Sequence, residues 1–280
     1  MRQDRSRTAK QRRDQREALA ELFPDCPKRE LFKSSDPWPD LDGCLVILFA
    51  SRSGSTFLAR EIESRYRIGE IGEAFNAPQL KSRATRFDLS SPASVFRHTV
   101  QTLSENRWFG VKAGLLAITL AERIGFLDAY LPKTRFITLF RRDLVAQAVS
   151  LVKAEMTGRF HSRQPEKQSV GADSYDRACI LKKVKVLLRS MQALDVWLRE
   201  REAPKGKLFY EDFCGGDFSS VTALCDSFGL ATRPKVKVVD RRVVEKIGDD
   251  VNDAWCHRFR DECDDEVNKL LSRYETLIRA

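Results

Sequence analysis

The chain has 280 residues, 42% hydrophobic and 32% charged, with a formal net charge of +9. That composition excludes a low-complexity or disordered chain and provides for a sizeable buried core. The longest apolar run, residues 44–50, is seven residues long, against the ~20 of a membrane-spanning helix, which excludes an α-helical membrane protein.

The first ten residues contain no apolar stretch, so no secretory leader is expected. Seven cysteines with no Cys-x-x-Cys pair favour reduced thiols and a cytoplasmic location. Cys256-His257 with Cys263 matches no familiar zinc spacing, and no metal is expected. Residues 1–17 hold seven Arg or Lys against three Asp or Glu, a local +4 that leaves +5 for the rest. A solvated basic arm accounts for the first, and the second suits an anionic cofactor or acidic substrate as well as nucleic acid. No aromatic–basic interleaving, zinc finger or RNA-binding signature supports nucleic acid as a partner.

In chain order, residues 1–20 read as polar helix and 24–43, rich in Pro and Asp, as an entry loop. Residues 1–43 are thus expected to be an arm ahead of a single domain, 44–280. Cys44-Leu-Val-Ile-Leu-Phe-Ala50 reads as a buried strand and Ser51-Arg-Ser-Gly-Ser-Thr56 as a tight polar loop. A helix follows over about 55–66, with Leu58 and Ile62 at i, i+4. A strand, a tight loop and a helix start aim several N–H groups and the positive dipole end at one spot, where phosphate or sulfate fits. The loop lacks Gly-x-x-x-x-Gly-Lys-[Ser/Thr] and is no ordinary nucleoside-triphosphate loop. Arg52 supplies the fixed charge.

A loop over 68–76 carries two glycines and two glutamates. A helix over 92–105 opens at Ser91-Pro92, a strand covers 109–113 and a helix 115–124. Arg135-Phe-Ile-Thr-Leu-Phe140 is the second clear strand, running into Arg141-Arg142-Asp143. Asp143 is a natural N-cap for a helix reaching Thr157, with Gly158 as its stop. Residues 159–172 have no strong periodicity. A helix over 173–201 carries an apolar stripe of Ile180, Val184, Leu187, Met191, Leu194 and Leu198, read as core packing. Lys207–Tyr210 is a third strand, and helices cover 217–228 and 250–277. Strands alternating with helices imply a mostly parallel α/β sheet.

Ligands of such a sheet bind beyond the carboxyl ends of its strands. Two ends are loaded: residues 51–56, and Arg141-Arg142-Asp143 with Ser150. From Asp143 to Ser150 is two helical turns, roughly 10 Å of rise, so an Arg–Ser grip on one phosphate there requires the chain to fold back.

Arg52-Ser-Gly-Ser-Thr56, the loop Gly69-Glu-Ile-Gly-Glu-Ala-Phe75 and Arg141-Arg-Asp-Leu-Val-Ala-Gln-Ala-Val-Ser150 occur in that order, the first and last about 90 residues apart. Together they resemble bacterial carbohydrate sulfotransferases of the trehalose, nodulation-factor and lipopolysaccharide type. The resemblance covers 44–160 well and the remainder loosely, with fainter likeness at Tyr210-Glu-Asp and Trp255. It implies a P-loop-like three-layer α/β fold, a mostly parallel central sheet flanked by helices, and no metal. The implied donor is 3′-phosphoadenosine 5′-phosphosulfate (PAPS), and the implied partner a carbohydrate or glycolipid acceptor. Relatives are often homodimers, which extends that expectation here.

By the same resemblance the 5′-phosphosulfate lies in the loop of Arg52, Ser53, Gly54, Ser55 and Thr56. The 3′-phosphate is held by Arg141 or Arg142 with Ser150. The eight-residue Arg-to-Ser spacing of many sulfotransferases selects Arg142; alignment within the subgroup selects Arg141, toward which the reading leans. Glu73 is the implied base that activates the acceptor hydroxyl, and Glu70 its backup. The family loop, Gly-Glu-Pro-x-Glu-[Phe/Tyr]-Phe, is departed from at Ile71, Gly72 and Ala74. His161 is a second candidate for acid–base work or acceptor binding, and equally a solvated loop histidine. Lys112 reads as an acceptor or donor contact or as a surface lysine. Arg241, Arg242 and Lys246 read as a closure over the 3′-phosphate or as a basic turn. Two other readings stand beside this one. A nucleoside-triphosphate phosphotransferase is opposed by the missing Gly-Lys-Ser, and a nucleic-acid-binding protein rests on the +9 charge alone.

Overall fold

The computed structural model describes residues 17, 19–24, 26, 37–160, 164–234 and 249–280. Most of the expected polar arm, much of the entry loop, His161, Arg241, Arg242 and Lys246 lie outside the described residues.

The strands and helices run β1 Gly43–Phe49, α1 Ser55–Arg65, α2 Ala77–Phe87, α3 Pro92–Leu103, β2 Trp108–Ala113, α4 Leu115–Arg123 and α5 Phe126–Tyr130. They continue β3 Thr134–Phe140, α6 Leu144–Thr157, α7 Arg177–Arg199, β4 Lys205–Phe209, α8 Tyr210–Phe213, α9 Ser219–Ser227, α10 Asp250–Asp261 and α11 Asp265–Arg279. The four strands form one parallel sheet in the order β2-β1-β3-β4, flanked by helices, which is the expected α/β class. Cys44 to Leu48 in β1 are all 0% exposed. That is why β1 is a continuous apolar run: a parallel strand covered on both faces has no solvent side to alternate with. From β1 the chain goes to β2 on one side and later returns to β3 on the other. The carboxyl ends of β1 and β3 therefore bound a topological switch point, the position at which open α/β sheets hold ligands.

Contacts group residues 1–47 with 67–136 into one compact unit, and 48–66 with 137–280 into a second. In the first unit the glycine-rich loop after residue 67 is stitched alongside β2. Gly72 and Val111 form a parallel bridge, and Lys112 N donates to Gly72 O at 2.9 Å. A Cβ at Gly110 would lie 2.5 Å from Ile71 Cγ1, so the bare glycine makes room for the loop's buried isoleucine. Phe75 closes the loop by stacking on Phe96 with ring centroids 4.4 Å apart. Helix α2 is an addition to the sequence reading. Only Leu80 of α2 is buried, so it carries no apolar stripe, but Asn76 caps it by accepting from Gln79 N and a proline sits in its first turn. Helix α3 opens as expected, with Ser91 and Ser94 in a reciprocal capping box.

In the second unit, α7 buries its whole expected stripe. The helix expected over 250–277 is two helices. Asp264 turns its carboxylate onto Val267 N at 2.9 Å and starts α11 afresh. Strand β4 ends at Phe209, and Tyr210 already begins α8. Among the described residues, no helix is long and apolar enough to cross a membrane.

Candidate active site

The turn after β1 holds two left-handed residues, Arg52 at φ 65 and Gly54 at φ 84, on either side of Ser53. A non-glycine residue in that region costs roughly 1–2 kcal/mol, so Arg52 is kept there by its surroundings. At Gly54 only glycine fits: a Cβ would lie 2.2 Å from Tyr210 Cδ2. Gly54 is also the N-cap of α1, and no side chain caps that helix. The start of α1 opens onto the turn, an arrangement suited to anions. Ser53 is 1% exposed, and its Oγ has no hydrogen-bond partner among the described residues. Ser55 is buried beside it and Thr56 half-buried.

The Arg52 side chain crosses to the second loaded strand end. Its Nε donates to Ser150 Oγ at 3.0 Å and Nη1 to the Phe160 carbonyl at 2.6 Å. Gln147, 1% exposed, ties α6 to the same turn by donating from Nε2 to Ser51 O at 2.8 Å. Burial and then the neighbouring Arg141 charge push the Arg52 pKa down. The site thus brings two guanidinium groups together against their mutual repulsion.

Arg141 and Arg142 part company. Arg141 lies over the Tyr210 ring at 5.3 Å, its Nε buried, without a hydrogen bond and 3.8 Å from Glu211 Oε1. Its backbone is pinned, since Tyr274 donates its hydroxyl to Arg141 O at 2.7 Å. Glu211 braces the turn further by accepting from the Arg142 N–H at 3.0 Å and the Asp143 N–H at 3.5 Å. Arg142 instead makes a bidentate pair with Asp212 at 2.5 and 2.9 Å and stacks on Phe209. The structure therefore assembles Arg52, Arg141 and Ser150, and leaves Arg142 on an exposed carboxylate. Asp143 caps α6 as expected, accepting from Ala146 N at 2.9 Å. Below Ser150 a recess is lined by Arg52, Lys153, Thr157, Arg159 and Asn252 among others.

In the first unit, Glu73 is held by two donors. Its Oε1 lies 3.1 Å from Lys112 Nζ, and its Oε2 accepts from Asn76 Nδ2 at 3.3 Å. Lys112 is 6% exposed and is no surface lysine. The departures from the family loop have plain physical readings. Ile71 is buried against Gly110, Ala74 is buried, and a side chain at Gly72 would meet nothing within 4 Å. Glu70 is exposed and lies within electrostatic reach of Arg83.

Sequence reasoning passed over Gln147, Lys153 and the ring of Tyr210. The first two had a signal: a glutamine and a lysine inside the apolar run of α6 are expensive to bury without partners. Tyr210 carried only the faint likeness at Tyr210-Glu-Asp, which marks the segment without assigning a role to its ring. Among the described residues no cluster of three or more His, Cys, Asp or Glu is placed to hold a metal.

No curated protein matches the sequence significantly. Among solved structures, the sulfotransferase domain from the curacin biosynthetic pathway superposes with a TM-score of 0.53 at 14% identity, over 85% of this chain and 99% of that one. A sulfotransferase from Alicyclobacillus acidocaldarius gives 0.50 at 17% identity, over 87% and 97%. At such identities these likenesses bear on the fold alone. The Stf0 sulphotransferase family model matches residues 113–262, just over half the chain. With that match running from the end of β2 through Arg141 and Ser150 into α10, the chain belongs to the Stf0 sulphotransferase family.

Proposed function

We propose that the protein transfers a sulfuryl group from PAPS to a hydroxyl of a carbohydrate acceptor by in-line displacement. The observation that carries the reading is the Arg52–Arg141 pair. Two guanidiniums are gathered at a strand-end switch point, with the Arg52 head on Ser150 and a carbonyl rather than on a carboxylate. Such a cluster suits an anion. Two buried polar atoms without hydrogen bonds, Ser53 Oγ and Arg141 Nε, and the uncapped start of α1 fit a ligand with anionic groups at two positions. When bound, the donor supplies the SO₃ group on its 5′-phosphate.

The chain's own residues then divide the work. Arg52, the N–H groups opening α1 and the hydroxyls of Ser55 and Thr56 neutralise charge on the leaving phosphate oxygen. Arg141 and Ser150 hold the 3′-phosphate. Glu73 takes the acceptor proton, its carboxylate oriented by Lys112 and Asn76 and its side chain still 38% exposed. Glu70, on the same loop, contacts the acceptor. As in phosphoryl transfer, positioning and fixed charge supply most of the acceleration. The carbohydrate acceptor is supported by the likeness of the three motifs to carbohydrate sulfotransferases, and a cytoplasmic location by the odd count of seven cysteines.

The test has two arms. Adenosine 3′,5′-bisphosphate is expected to raise the melting temperature and ATP with magnesium to leave it unchanged; stabilisation by ATP and magnesium alone would reject the donor. Transfer of labelled sulfate is then measured over a panel of saccharides. Glu73→Gln is expected to lower kcat with bisphosphate affinity unchanged; an unchanged kcat removes Glu73 as the base.

A further inference from the structure

Ser150, Lys153, Ala154 and Thr157 stand at i, i+3, i+4 and i+7 of α6, one face of the helix, and all four line the recess that Arg52 enters. Lys153 is the unusual member. Its side chain is 8% exposed, and a buried ammonium is costly unless it is paired. Its partners are the N-cap and first turn of α10: Asp249 Oδ2 at 2.5 Å and Asn252 Oδ1 at 3.3 Å. An ammonium has three donors, and these contacts use two. Asp249 is itself divided, because its other oxygen caps α10 by accepting from Asn252 N at 3.2 Å. Around the recess, Arg52, Lys153 and Arg159 stand against Asp249 and Glu166. The three cations outnumber the two carboxylates, an excess of positive charge around the Ser150 hydroxyl.

We infer that Lys153 is a further contact for the 3′-phosphate and sets the preference for a nucleotide that carries one. The inference rests on the donor reading above. A dianionic phosphate between Ser150 and Lys153 takes the ammonium's third donor, while Asp249 and Asn252 keep the head in place. The bland reading is a staple between α6 and α10, and it makes a different prediction: a staple lost weakens every nucleotide alike.

The experiment is calorimetric titration of the wild type, Lys153→Gln and Asp249→Asn with adenosine 3′,5′-bisphosphate and with AMP, which lacks the 3′-phosphate. Lys153→Gln is expected to lose roughly 10- to 100-fold in bisphosphate affinity, the worth of one charged hydrogen bond, with AMP within about twofold. Asp249→Asn keeps a good helix cap and removes the carboxylate that competes for the ammonium, so bisphosphate binding is expected to tighten. Equal weakening of both nucleotides by Lys153→Gln, no weakening of either, or weaker bisphosphate binding by Asp249→Asn overturns the inference. A wild type that binds AMP and the bisphosphate equally overturns the donor reading as well. A wild-type preference that Lys153→Gln retains in full overturns the role of Lys153 alone.

Discussion

Arg52 separates a catalytic role from a structural one most sharply. Replacing it by alanine removes hydrogen bonds of 3.0 and 2.6 Å, each worth about 0.5–1.5 kcal/mol net. Against that loss, the folded protein no longer buries a charge that its surroundings disfavour through burial and through Arg141. The two effects oppose each other, so Arg52→Ala is expected to change stability by no more than about 2 kcal/mol, a few degrees of melting temperature for a chain this size. Arg52→Gly makes the same deletions and also relieves the left-handed strain at φ 65, about 1 kcal/mol, so it is expected to melt above the alanine variant.

The rate is expected to respond on another scale. A donor aimed at developing charge is worth about 10²–10³ in kcat, or roughly 2.7–4 kcal/mol. With a typical stability of about 5–15 kcal/mol, the variants stay folded and the rate loss belongs to each folded molecule. Initial rates of labelled sulfate transfer and thermal melts are measured on the same preparations. Rates within about threefold of wild type would refute the catalytic role. A melting temperature lower by more than about 10 °C would make Arg52 a structural staple, and a glycine variant less stable than alanine would sink the strain argument.

Arg141→Ala is expected to weaken adenosine 3′,5′-bisphosphate more than about tenfold, the worth of one charged hydrogen bond, and Arg142→Ala within about threefold, because the Arg142 guanidinium is already committed to Asp212; titration calorimetry in the reverse order would make the eight-residue spacing the better guide. Gly54→Ala is expected to destabilise by about 2–4 kcal/mol, combining a left-handed alanine with a Cβ 2.2 Å from the Tyr210 ring, and a loss below about 1 kcal/mol in denaturant titration would contradict it. Burial and then the Arg83 charge push His98 below its usual pKa, and its Nδ1 is buried without a partner. The unfolded chain then binds that proton more readily than the folded one, so stability is expected to fall as pH drops below about 6.5. His98→Gln should flatten the slope of melting temperature between pH 7 and pH 5, and identical slopes in both proteins would reject the assignment.

Features written in local chemistry were legible before the structure. β1 and β3 announce themselves as apolar runs, and Ser91, Asp143 and Gly158 do at their helix ends what those residue types do anywhere. The misses are places where the local signal is faint or the larger pattern misleads. Helix α2 buries one residue, so periodicity has nothing to register, although Asn76 and the following proline were there to be read. Across 250–279 the stripe of Trp255, Phe259, Val267, Tyr274 and Leu277 continues at helical spacing through the break, and only the Asp264 cap records it.

The site was legible as two stations and not as one. Spacing pairs Ser150 with an arginine eight or nine residues before it, which raised the difficulty of two helical turns between them. The hydrogen bond to Ser150 comes instead from Arg52, 98 residues earlier. No local pattern encodes that contact; it follows from the strand order, which seats β1 beside β3 so that both carboxyl ends open at the switch point. Arg141 lies at its own strand end over Tyr210, the ring that also closes on Gly54. The first loop and the second strand end therefore share Arg52 at one edge and Tyr210 at the other. On the proposed reading, an anion bound at either end meets a side chain already fixed by the other, and that linkage is expected to favour a ligand phosphorylated at both its 3′ and 5′ ends over a single phosphate.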